Sequence, residues 1–170
     1  GLRFDAVAVP QNAQIISAYV QFTARTTVNE DPCQLVIRGE NADNASPIGW
    51  TLNELSGRST TSAQVNWAPA AWNLVDESSL AQRTPNLAAV VQEIVSRPGW
   101  TSDQAMLFLM EGSGGRSAWS WNDDPTKAAR LCIAYDEPST PVLDCQGVPN
   151  GPALPGTFCD DGNASTGNDL

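Results

Sequence analysis

The side chains best suited to chemistry here are carboxylates with no base beside them. The chain has 19 Asp and Glu and no His. Ser-His-Asp triads, Cys-His pairs and His-based metal sites therefore have no sequence support. Lys127, in "DDPTKAAR", lacks a Ser-Lys pattern. The Gly-rich "EGSGGRS" precedes no helix and reads as a hairpin turn rather than a phosphate loop. Glycoside hydrolysis needs only two facing carboxyl groups. Glu40, Glu54, Glu111, Asp123 and Asp124 are available, but no spacing brings two of them together, so no catalytic residue is assigned. Oxygen clusters suited to Ca²⁺ occur at Glu40 and Asp43 in "GENADN" and at Asp123 and Asp124 in "WNDDP". The same residues would serve as solvated turns. The terminal "DDGNASTGND" has Thr166 where a Ca²⁺-binding EF loop needs Gly, and no closing Glu.

Trp119 and Trp121 in "AWSW" share one face of an extended strand. Facing out, the two indoles would stack on sugar rings. The other face carries small or polar Ala118, Ser120 and Asn122, which favours indoles pointing inward. Trp50, Trp67, Trp72 and Trp100 read as core or edge packing. Four cysteines allow three pairings. Cys33 and Cys132 lie in strand-like stretches, and Cys145 and Cys159 bracket a loop, which favours Cys33–Cys132 and Cys145–Cys159. Such bridges belong in an oxidising, extracellular setting. Sequons at Asn44 and Asn163 fall in loops, and Thr60 and Thr140 are candidates for O-linked sugars.

The surroundings of these groups are acidic. Nine Lys and Arg leave a net charge of −10, which repels phosphate backbones, so nucleic acid is not an expected partner. No apolar run approaches the roughly 20 residues of a membrane-spanning helix, so no membrane insertion is expected.

Strand patterns fill the first 137 residues. "LRFDAVAVP" and "QIISAYVQFTART" alternate and suggest a hairpin across Pro10–Asn12, with Ile16, Ala18, Val20, Phe22 and Ala24 inward. "CQLVIRGE", "AQVNWAP", "AMLFLMEG", "RSAWSW" and "AARLCIAYD" add five strands. One amphipathic helix is predicted over residues 85–96, with Thr84 as N-cap and Pro85 at the first helical position. Leu87, Val90, Val91, Ile94 and Val95 form its apolar stripe. Together these describe an all-β, jelly-roll β-sandwich with one helix. Residues 138–170 are rich in Pro and Gly and read as an extended, disulfide-bearing tail.

The ordered phrases "LRFDAVAVPQNAQIISAYVQFTA", "VNW", "PNLAAVVQEIVSRPGW" and "AARLCIAY" resemble DNRLRE-type secreted β-sandwich modules, relatives of alginate-type carbohydrate-binding modules, over residues 2–135. The resemblance implies a jelly roll, secretion or cell-surface placement, and a non-catalytic role. In that family a further strand precedes the "LRFD" strand, which here opens the sequence. An incomplete sandwich leaves a neighbouring edge unpaired, and a segment from another copy can complete it, as in donor-strand pairing. The expectation is a structural or adhesive subunit assembling head to tail into a fibre with itself as partner. A trimmed record of a longer chain would equally explain the start. Leu2 and Phe4 would lie in the body, and Val142, Leu143, Leu154 and Phe158 in the donated tail. The alternatives are a carbohydrate-binding module built on Trp119 and Trp121, with Ca²⁺ near Asp123, and a glycoside-active enzyme.

Overall fold

The computed structural model describes residues 1–137. They form six strands and one helix: β1 (Leu2–Val7), β2 (Gln14–Gln21), β3 (Ala24–Glu40), β4 (Thr60–Trp67), α1 (Ala88–Val95), β5 (Gln104–Ala118) and β6 (Arg130–Asp136). A short 3-10 turn, Leu80–Gln82, precedes α1. The strands make two antiparallel sheets, ordered β1-β5-β3-β4 and β2-β6. The architecture is the expected all-β sandwich with one helix. A full jelly roll has eight strands; six are present among the described residues.

Alternation builds the core. Met106, Phe108 and Met110 of β5 face inward with Ile37 of β3, against Ala18 and Val20 of the second sheet and Phe22 just after β2. Phe22 stacks on Trp67 at 5.7 Å between ring centroids. The opposite face of β5 is also buried: Ala105, Leu107 and Leu109 lie under Ala45 and Leu55 of the 41–58 loop.

The helix carries the expected stripe, and Leu87, Val90, Val91, Ile94 and Val95 are all buried. Each such side chain contributes about 1.5–3 kcal/mol before entropy. Its contacts with β2, β3 and β4 close one side of the sandwich. The helix begins three residues later than Pro85, because Thr84 is drawn elsewhere: its Oγ1 accepts the Val20 N–H at 2.9 Å.

Several local expectations fail for physical reasons. β1 and β2 are not a hairpin; β1 pairs with β5 and β2 with β6, because the Pro10–Asn12 turn carries the chain from one sheet to the other. A bulge between Ile15 and Ser17 turns Ile15 inward and leaves Ile16 exposed. The two strands expected around "EGSGGRS" are one strand, β5. Gly112 and Gly114, at φ 147° and 70°, bend it past β3 instead of reversing it. A Cβ on Gly112 would sit 1.9 Å from the Gln34 carbonyl oxygen, so β3 and β5 approach this closely only through glycine. Trp67, Trp72 and Trp100 are buried as expected, but Trp50 stands fully exposed on the 41–58 loop.

Candidate functional site

A four-strand sheet and a two-strand sheet leave four edges, and these are treated differently. The outer edge of β2 is closed by α1 and the segment leading into it. Gln92 Oε1 accepts the Ile15 N–H, Asn86 Oδ1 that of Ala18, and Thr84 Oγ1 that of Val20. Leu87 and Thr84 return backbone N–H bonds to Ala18 and Val20. The edge of β4 is capped where the Glu93 carboxylate accepts the N–H groups of Ser62 and Ala63, at 2.7 and 2.8 Å. These are the covered edges expected of a managed sheet.

The other two edges, β1 and β6, face each other without a ladder between them. A groove runs along the gap. Its wide end, about 630 Å³, is lined by Leu2, Phe4, Trp119, Trp121, Ala128 and Ala129. Its narrow end, about 290 Å³, is lined by Phe4 to Val9 with Leu131, Ile133 and Tyr135. Phe4 and Asp5 belong to both ends, so the groove is continuous. Leu2, Phe4, Leu131, Ile133 and Tyr135 all pack on the core, yet none is fully buried. At the narrow end the Tyr135 hydroxyl crosses from β6 to β1 and donates to the Ala8 carbonyl at 3.0 Å.

The expected body contacts Leu2 and Phe4 are thus on the groove floor. Leu131, Ile133 and Tyr135 are not singled out by the sequence. The alternation of "RLCIAYD" marks the apolar face of β6, but nothing local marks its edge as unpaired.

The tryptophans depart from the inward reading. β5 ends at Ala118, so strand alternation no longer fixes their faces. Trp121 is 70% exposed beside the wide end. Trp119 is half-buried and held: its indole N–H donates to Asp76 Oδ1 at 2.8 Å, and Lys127 and Arg25 lie 4.8 and 5.4 Å from the ring centroid. The hydrogen bonds from Lys127 and Trp119 lower the Asp76 carboxyl below its ordinary range.

The candidate Ca²⁺ carboxylates are engaged elsewhere and do not converge. Glu40 pairs with Arg58, Asp43 with Arg97 and Asp123 with Arg25. Asp124 accepts from Thr126, which lowers its carboxyl. No cluster of three or more His, Cys, Asp or Glu side chains with metal-site geometry occurs among the described residues. Glu40 and Glu54 do meet, on Arg58, whose side chain is only 9% exposed. Hydrogen bonds from Thr51 and Arg58 lower the Glu54 carboxyl to about 2. That keeps it ionised and unsuited to the role of a general acid near neutral pH. Glu111 is exposed and pairs with Arg38 across the sheet.

The expected Cys33–Cys132 bridge is absent, and both thiols are free. Cys33 is buried at a register shift in β3 of the larger sheet. Cys132 lies in β6 of the other sheet, alternating with inward Leu131, Ile133 and Tyr135, so it faces away from the sandwich interior. Asn44 is exposed and its Oδ1 accepts the Ala105 N–H at 2.9 Å, while its Nδ2 has no hydrogen-bond partner among the described residues; Thr60 is half-buried at the start of β4. Cys145, Cys159, Asn163, Thr140, Val142, Leu143, Leu154 and Phe158 lie outside the described residues.

No helix among the described residues is long and apolar enough to cross a membrane. Comparison with family models, with curated proteins and with solved structures returned no match.

Proposed function

We propose that this chain is a non-catalytic, extracellular structural subunit that assembles head to tail by accepting an extended segment from another copy. The observation that supports this reading is the groove between β1 and β6. Among the described residues both flanking edges lack ladder partners, while the opposite edges are capped by Thr84, Asn86, Gln92 and Glu93. An added strand would pair with backbone on both sides and cover the incompletely buried Leu2, Phe4, Leu131 and Ile133. The resemblance to DNRLRE-type modules is part of the same proposal, as are secretion and glycans on Asn44.

The test compares the full chain with one ending at Glu137, by size-exclusion chromatography and negative-stain imaging. Polymers from the full chain and a folded monomer from the shorter one are expected. Polymers that persist unchanged without the tail would remove it from the assembly.

Trp121 favours a second reading, a carbohydrate-binding module. An exposed indole beside an apolar pocket is a stacking platform for a sugar ring. The net charge of −10 selects a neutral glycan. A blue shift and enhancement of tryptophan emission on adding neutral oligosaccharides, lost in Trp121→Ala, would support it; unchanged emission would dismiss it.

A further inference from the structure

The two ends of the groove are built differently, and one hydrogen bond marks the difference. At the wide end β1 pairs with β5 in regular register over Leu2, Arg3 and Phe4. Its other side, turned to the groove, carries no ladder among the described residues. At the narrow end the backbone leaves this pattern. Ala6 stands at φ 51°, outside the extended region, and the register with β5 shifts between Phe4 and Val7. The next three carbonyls are all taken. Val7 O accepts the Asp103 N–H at 3.1 Å, and Val9 O accepts the Trp100 indole N–H at 2.9 Å. The Ala8 carbonyl between them is held from the opposite wall, by the Tyr135 hydroxyl of β6 at 3.0 Å.

This bond is unlike the caps on β2 and β4. Those caps accept backbone N–H groups, two or three to an edge, from side chains on α1 or just before it. The Tyr135 bond is single and exposed, and it ties the two walls of the groove to each other. It also supplies what a pairing strand would supply. A backbone N–H can replace the hydroxyl as donor to Ala8 O, one bond for one bond, so the exchange costs little. The freed hydroxyl passes to water, at a position already exposed, while the ring packs on the core.

We infer, resting on the assembly reading above, that Tyr135 is a releasable strap: it shuts the narrow end of the groove in the free subunit, and an arriving segment of a second copy displaces its hydroxyl from the Ala8 carbonyl. Contact begins at the wide end, where Trp121 is exposed and Leu2 and Phe4 are only partly buried. Leu131 and Ile133, at the narrow end, are covered only after the strap opens. Assembly therefore has a second step, and the strap slows it.

Light scattering on the full chain tests this, with wild type, Tyr135→Phe and Tyr19→Phe at equal concentration. Tyr135→Phe keeps the ring and removes only the hydroxyl. Tyr19, the chain's other tyrosine, sits opposite Cys132 on the outer face of β2 and serves as the control. Tyr135→Phe should assemble about two- to tenfold faster, the factor to which one net hydrogen bond corresponds, and Tyr19→Phe at the wild-type rate. Equal rates in all three would overturn the strap and leave assembly standing. Slower assembly of Tyr135→Phe would overturn it too, because the hydroxyl would then belong to the docked state. No polymers from any of the three would defeat both readings. A measurement without a mutation guards against a misfolded variant: ¹⁹F NMR of the full chain carrying 3-fluorotyrosine, as monomer and as polymer. The Tyr135 signal should move on assembly and the Tyr19 signal should stay. A Tyr135 signal unmoved in the polymer would overturn the strap.

Discussion

Arg58 shows how a single residue holds a loop over the outer face of β5. Its guanidinium joins Glu40 of β3 to Glu54 and donates to the carbonyls of Ser46 and Pro47, fixing the 41–58 loop over Leu107 and Leu109. Arg58→Ala leaves two carboxylates and two carbonyls without this donor. The expected loss is about 1–3 kcal/mol, read from urea unfolding. Acid should act at the same place. Glu54 is depressed on folding, so its contribution is present above its ordinary value of 4.5 and is lost as the pH falls towards about 2. Limited proteolysis with pepsin should therefore cut at the 41–58 loop increasingly across that interval, and Glu54→Gln should flatten the dependence. The thiols offer a second check. Cys132 should alkylate before Cys33 in the native protein, because Cys33 is 4% exposed; equal rates would contradict the placement of β3.

At the scale of elements, Gly112 decides whether β5 stays continuous. Gly112→Ala forces a Cβ against the Gln34 carbonyl and holds alanine at φ 147°, so a loss of about 2–3 kcal/mol is expected in thermal or urea unfolding. The sequence made the period of each element legible but not its partners. The α1 stripe at residues 87–95 and the alternation of β6 depend on neighbours a few positions away, and both appear as expected. "EGSGGRS" misleads because glycine clusters serve tight turns and close strand approaches alike, and only β3 decides which. The groove is hidden for the same reason. Whether an edge is covered depends on caps far along the chain, such as Gln92 reaching Ile15 and Asn86 reaching Ala18. Hydrogen exchange should separate the edges. In monomer, the Ile15, Ala18 and Val20 amides should exchange slowly, while alternate amides of β6, which point into the groove, should exchange fast and become protected on assembly.

For the whole molecule, the contrast between its two sides matters more than any one contact. α1 seals the side between β2 and β4, and the opposite side stays open between β1 and β6. A net charge of −10 makes separate copies repel one another. The caps on β2 and β4 also set a valence. Under the proposed assembly, with those edges closed, each copy would offer one socket and one plug, so growth would be linear and unbranched, with two unlike tips. A copy trimmed after Glu137 would then accept a neighbour but not join one. Doping such copies into full-length chain should shorten filaments in proportion to the dose, as a terminator does in step polymerisation.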